Sequence, residues 1–310
     1  RGLTGGADYE LTVESGGDSA GPYVFAAAPA GREPFQLLFG GDSRSGIEHR
    51  RKMNQLLERI TSEARRQGRP PVVALAHGGD FVNNGRRLPE WRQWLDDYQL
   101  TTSPAGRLLP IIPTRGNHDY GDLFNEVFDF PPGDRNYYAT DLTPSVRLLT
   151  LNTETSTAGD QLAWLRGQLE APSPTASTWL LCQYHKPAFP AVKVPSGAYA
   201  NWVPLFEQHG VDVCLEADGH CIKRTPPILG NRFDPAGVVY LGEGGLGVGQ
   251  RSPKTNRWYL QRPAVTGRGH HVQVLAFDGE QLTGRVLMED GSTFDEFRLA
   301  PRPKRGVADK

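Results

Sequence analysis

LLFGGDSRSG, residues 37–46, is the stretch on which the reading of the fold turns. An apolar run ends in Gly40-Gly41, Asp42 sits at its tip, and Arg44 follows two residues later. In α/β proteins an aspartate at the carboxyl end of a buried strand commonly holds a metal or a substrate. The pattern expected there is Asp-x-His, both side chains meeting one cation. Arg44 instead carries a permanent charge and offers no lone pair to a metal. A strand end of the metal-binding type therefore comes with a cation of its own.

Outward from this stretch, apolar strands alternate with amphipathic helices. IEHRRKMNQLLERITSEARRQ (47–67) reads as a helix with Met53, Leu56, Leu57 and Ile60 on one face. PVVALAHGGD (71–80), RLLPIIPTRGNHD (107–119), VRLLTLNTE (146–154), TWLLCQYHK (178–186) and VDVCLEADGH (211–220) read as strands running into loops. Between them LPEWRQWLDDYQ (88–99), DQLAWLRGQLEA (160–171) and NWVPLFEQHG (201–210) read as helices. Beyond about residue 235 the signal turns strand-rich and antiparallel, in GVVYLGEGG, HHVQVLAFDG, QLTGRVLMEDG and TFDEFRLA, with Asp-Gly turns between. Residues 1–34 alternate weakly (YELTV, PYVFAAA) and read as a β-rich segment, the remnant of a β-sandwich. The tail from 301 to 310 reads as disordered.

Composition narrows the classes. The 310 residues suffice for a large core, and 38% hydrophobic with 22% charged residues argues against disorder. A formal net charge of −1 gives no reason to expect a nucleic-acid partner, and no apolar run is long enough for a membrane span. Cys182, Cys214 and Cys221 fit neither a disulfide framework nor a zinc ribbon, and the first two lie in apolar runs as small buried hydrophobes. The first residue is Arg1, so a removed leader would leave no trace to read.

Five predicted strands end in metal-competent or acid–base groups: Asp42, Asp80, the Asn117-His118-Asp119 run, His185 and His220. Singly, each has a plain explanation, since a GD turn is often a cap and a lone histidine after a strand is often a satisfied core residue. Five in succession at the same strand ends converge on one crevice.

The order GD, GD, GNHD, H, GH resembles the calcineurin-like metallophosphoesterase superfamily over about residues 35–300. GDFVNNG followed by PEW, QLAWLRGQL before His185, and the late VVYLGEGGLG resemble its bacterial purple-acid-phosphatase-like branch. The resemblance implies a four-layer αββα sandwich of two mixed β-sheets flanked by helices, with residues 35–300 as the catalytic domain. It also implies hydrolysis of a phosphate mono- or diester by in-line attack of a metal-activated water.

Carried over residue by residue, the ligands divide. One set is complete: Asp80 as the bridging carboxylate with Asn117, His185 and His220. The other keeps Asp42 alone. Its histidines are replaced by Arg44 and by Ile222 of GHCI, and the tyrosine that purple acid phosphatases give to iron is Asn83. The expectation is one divalent transition metal, Zn, Mn or Fe(II), since a mixed N/O shell suits these better than Ca or Mg. Arg44 would bind phosphoryl oxygens where the first cation stood, unless it only pairs with Asp42. Asp42 would act as a weak base. His118 would give a proton to the leaving group, oriented by Asp119 or Asn83, and Asn83 would join Arg44 and His118 at the substrate.

Other residues carry weaker readings. Cys221 is a spacer before it is a ligand, Asp218 divides evenly between supporting the ligands and a solvent turn, and His77 is structural or supports the ligands. His270 and His271 have no role in the family. Lys186, Arg115 and Arg224 flank the predicted crevice as anion contacts, and Trp202 and Tyr199 would form an aromatic wall. The competing functions are a module that keeps the cation but only binds an anionic ligand or partner, and an enzyme of non-phosphate chemistry. Substrate, oligomeric state and localisation are not written in the residues, although the resemblance leans to a secreted or periplasmic protein.

Overall fold

A computed structural model describes residues 2–171 and 179–302. Strands β1 (Asp8–Ser15) and β2 (Asp18–Ala26) pair as a hairpin. There follow β3 (Phe35–Gly40), α1 (Ile47–Arg66), β4 (Val72–His77), α2 (Leu88–Tyr98), β5 (Ile111–Pro113) and α3 (Leu123–Val127). The middle of the chain supplies β6 (Tyr138–Thr143), β7 (Val146–Thr150), α4 (Gly159–Glu170), β8 (Trp179–Tyr184), α5 (Gly197–Asn201), α6 (Val203–His209) and β9 (Val213–Glu216). The remainder is β10 (Ile222–Arg224), β11 (Ile228–Leu229), β12 (Arg232–Phe233), β13 (Val239–Gly242), β14 (Val265–Gly267), β15 (His271–Asp278), β16 (Gln281–Met288) and β17 (Thr293–Leu299).

Two large mixed sheets result, ordered β17-β16-β15-β3-β4-β5 and β14-β10-β13-β9-β8-β7-β6. Their parallel centres, β3-β4-β5 and β7-β8-β9-β13, are covered on both faces and so read as near-continuous apolar runs. In β3, Phe35, Leu37 and Phe39 point into the seam between the sheets, against Leu181, Val213, Leu215 and Leu241 of the second sheet. Leu38 points the other way, against Met53, Leu56, Leu57 and Ile60 of α1. On the far side Cys182, Tyr184 and Cys214 meet Leu165 of α4 and Val203 and Phe206 of α6. Helix, sheet, sheet, helix is the four-layer sandwich expected.

The hairpin attaches at the edge of α1, where Asp8 receives Arg65 and Arg107 and Val24 bridges to Arg107. At the other end Arg302 donates to Asp212, Val211 and Ala236. The remaining tail, 303–310, lies outside the described residues.

Candidate metal centre

The carboxyl ends of β3, β4 and β5 meet those of β8 and β9 at one edge of the seam. Asp42, Asp80, His185 and Asp218 gather there, all buried, with donor atoms within 4.8 Å of one another. The backbone is bent to bring them in. Asp42, Asp80, Asp218 and His220 all have φ between 58° and 65°, a region that non-glycine residues enter at a cost of order 1–3 kcal/mol. Such conformations persist where the surroundings over-determine them, and they cluster at functional sites. Two glycines make the approach possible. A Cβ on Gly116 would lie 2.3 Å from the Asp80 nitrogen, and one on Gly244 would lie 1.8 Å from Asp42 Oδ2.

His185 has one nitrogen assigned by its neighbours. Nδ1 faces the Gly78 carbonyl at 2.8 Å, which can only accept, so Nδ1 carries the proton. Nε2 then looks at three oxygens: Asn117 Oδ1 at 3.3 Å, Asp80 Oδ1 at 3.4 Å and Asp218 Oδ1 at 3.5 Å. A lone pair among three acceptors calls for a positive charge between them, either a second proton or a cation. Burial opposes the protonated ring, but the Asp80, Asp218 and Asp42 charges outweigh it and hold His185 well above its ordinary range. Asp42 Oδ2 accepts from the Asp218 nitrogen at 2.9 Å, while Oδ1 lies 3.1 Å from His220 Nε2. Both Asp42 Oδ1 and His220 Nε2 are buried without a hydrogen-bond partner among the described residues. Orphaned nitrogen and oxygen atoms aimed at one point fit a borderline divalent cation.

Arg44 does not reach Asp42. Its Nε lies 3.3 Å from Asp80 Oδ2, and its Nη1 donates to Asn83 Oδ1 at 2.8 Å. Asn83 Nδ2 returns a bond to the Arg44 carbonyl at 3.0 Å. The alternative of an Arg44–Asp42 ion pair is thus replaced by pairing with Asp80, because Asn83 holds the guanidinium on the β4 side. Loop 83–84 is itself fixed by Glu90, in the first turn of α2, which accepts from both backbone nitrogens.

His118 Nδ1 faces the Asn83 carbonyl at 2.8 Å, so Asn83 and not Asp119 orients the ring. Asp119 turns inward and accepts from the nitrogens of Gly116, Asp80 and Phe81, and burial and the Asp80 charge push it up to about 8. Burial likewise lifts Asp80 above the usual carboxylate range.

Several weaker expectations are corrected. Lys186 is held by Glu154, Arg224 by Asp295, and Arg115 by Asn136 and main-chain oxygens. Trp202 is fully buried beside Tyr184, so it is core and no aromatic wall. His77 stacks on Phe81 and is pushed down to about 3 by burial, a structural histidine as read.

Lys193 and Glu243 were not anticipated, whereas Asp218, weighed between ligand support and a solvent turn, falls on the side of the site. Asp218 joins the cluster, and Lys193 pairs with it. Glu243 binds the His220 loop, its carbonyl accepting from His220 N at 2.6 Å. The Glu243 side chain meets the buried Lys223, which also bonds Glu216 and the Phe189 carbonyl. The one available signal was a glutamate inside the apolar strand VVYLGEGG; nothing local distinguished Lys193.

The profile of the calcineurin-like phosphoesterase family matches residues 41–221, more than half of the chain, and the protein belongs to that family. Among its relatives, an uncharacterized protein of Mycobacterium tuberculosis is 22% identical over 268 residues, covering 74% of this chain and 50% of that protein. Purple acid phosphatase 18 of Arabidopsis thaliana is 23% identical over 198 residues, covering 56% and 45% respectively. The chain spans about half the length of these curated relatives. The solved structure of purple acid phosphatase PPD1 from yellow lupin superposes with a TM-score of 0.76 at 16% identity, over 100% of this chain and 64% of that one. That likeness shows the fold.

Proposed function

We propose that the protein is a metal-dependent phosphoesterase that holds one divalent transition cation and uses Arg44 as a clamp for the phosphoryl group. The observation that carries this reading is the guanidinium of Arg44 against Asp80, its Nε buried and without a hydrogen-bond partner among the described residues. Asp80, Asn117, His185 and His220 would hold the cation, with Asp42 and Asp218 beside them. Bound there, such an ion acts as a Lewis acid and lowers the pKa of a coordinated water. Charge balance supports a single ion. With His185 neutral, as a ligand must be, Asp42, Asp80 and Asp218 face the cations Arg44 and Lys193, which leaves one net negative charge around the ion. One dication turns that into a single positive charge, suited to a phosphate ester.

The chain's own groups divide the remaining work. Arg44 Nε and Nη2 offer planar donors to two phosphoryl oxygens, in competition with Asp80. Asn83 holds that plane from one side and the His118 ring from the other. His118, with Nδ1–H committed to a carbonyl, would deliver a proton to the leaving oxygen from Nε2 of the doubly protonated ring and be left as the neutral Nδ1–H tautomer. Asp42 accepts a proton weakly, because His220 and His185 outweigh burial and hold it below the usual carboxylate range. Residues 35–300 would be the catalytic unit and residues 1–34 the remnant of a preceding β-sandwich.

Elemental analysis of protein purified without chelator tests the reading. His220→Ala is expected to carry about one equivalent of transition metal per chain less than wild type. A loss of about two equivalents would sink the single-ion assignment. Arg44→His is expected to leave the count unchanged, because Ile222 on β10 is buried in the position where a second histidine would be needed. A second reading, a cation-free module that binds anions, is favoured by the two ion pairs, Arg44–Asp80 and Lys193–Asp218, that already neutralise site carboxylates. No bound metal, together with no turnover of phosphomonoesters or diesters, would bring it forward.

A further inference from the structure

Away from this centre, His49 at the start of α1, His270 just before β15 and Glu289 just after β16 bring donor atoms within 4.8 Å of one another. His49 Nδ1 lies 2.7 Å and His270 Nδ1 3.3 Å from the same Glu289 oxygen, Oε2. The two imidazoles stack with centroids 3.9 Å apart. His270 is fixed from its other side. Its Nε2 faces the carbonyls of Gly247 at 3.2 Å and Val248 at 3.1 Å, which only accept, so Nε2 keeps the proton. Nδ1 therefore presents a lone pair to a carboxylate oxygen, an arrangement that repels unless a positive charge lies between. A histidine anchored through one nitrogen to a main-chain carbonyl, with the other left open, is how metal ligands are commonly oriented.

The three side chains are partly open to solvent. His270 and Glu289 line a cavity of about 490 Å³ that also touches Lys52, Arg59 and Asp290. Lys52 Nζ stands 3.5 Å from the other carboxylate oxygen, Oε1, and 2.8 Å from Glu48, so it leaves Oε2 free.

We propose that His49, His270 and Glu289 form a second, peripheral site for a borderline divalent cation such as Zn²⁺, with water completing its shell. The ion would tie α1 to the ends of β15 and β16. It would also brace the main centre, because the carbonyls that anchor His270 belong to a loop whose Val248 nitrogen donates to the Asp42 carbonyl at 2.9 Å.

Zinc titration of chelator-stripped full chain, comparing wild type with His49→Ala/His270→Ala and with Glu289→Gln, tests this by calorimetry. Wild type is expected to bind about one equivalent more than the double variant, and Glu289→Gln to weaken that extra site at least about tenfold. Because the readout is a difference between proteins that share the main centre, it does not depend on how many ions that centre takes. Equal counts and affinities in all three overturn the proposal. Should the double variant fail to fold by circular dichroism, Glu289→Gln, which preserves shape, decides alone: unchanged zinc binding there overturns it.

Discussion

Lys223→Met is expected to lower the free energy of unfolding by about 3–5 kcal/mol, the usual cost of removing one partner from a buried ionic cluster. Lys223 is fully buried, and its ammonium meets Glu216, Glu243 and the Phe189 carbonyl. Methionine keeps the length of the side chain but leaves two carboxylates facing each other without a cation. Glu216 also accepts from Tyr184 and from the Ala188 nitrogen, so it cannot turn away cheaply. Denaturant midpoints would measure the loss, and a shift under 1 kcal/mol would contradict it.

The deficit should also depend on pH. Burial pushes Glu243 up to about 7 from an ordinary 4.5, even with Lys223 beside it. A carboxyl whose folded pKa is raised binds more protons folded than unfolded, so stability falls as pH rises from about 4.5 to about 7. Without Lys223 the fall extends to higher pH, and Lys223→Met is closest to wild type at the acid end. Adding Glu216→Gln and Glu243→Gln should recover much of the loss at neutral pH.

His118→Asn is expected to cut turnover of a phosphate ester by roughly 10²–10⁴-fold while metal content stays at the wild-type level. The backbone nitrogen of His118 donates to Asp80 Oδ1 at 2.9 Å whatever the side chain is, so the metal ligands keep their geometry. The loss should lie in kcat for substrates with poor leaving groups and shrink for those that need no proton. Metal lost along with activity would instead mean that the side chain supports the ligand set.

How much of this could be read from residues alone follows from burial. Strands covered on both faces announce themselves as apolar runs, and β3, β4, β8 and β9 with their terminal Asp and His were legible for that reason. Short or half-covered strands were not. The three residues of β10, the two-residue β11 and β12, and the mixed pattern of β6 carry no period long enough to register. Charged residues inside strands could not be placed from the sequence. Lys223 and Glu216 drew no reading, since burying them makes sense only once three distant segments meet. Arg224, one residue on, pairs with Asp295 of β17 and not with a substrate, and no local pattern connects positions 71 residues apart. At the centre the residue types were legible but the pairings were not. Arg44 was expected near Asp42, and it is Asn83, a long-range neighbour, that turns it to Asp80.

The centre sits on a seam, with Asp42, Asp80 and Asn117 contributed by one sheet and His185, Asp218 and His220 by the other. An ion held by both sets would work as a rivet between two leaves that otherwise adhere through apolar contacts and a few polar ones, such as the Arg224–Asp295 ion pair. Its grip is then shared by the whole sandwich. At free metal a hundredfold above Kd, such a rivet adds about 2.7 kcal/mol to the folded state. With an ion bound there, the reserve that keeps the two leaves from parting would be set, in part, by the metal supply around the protein.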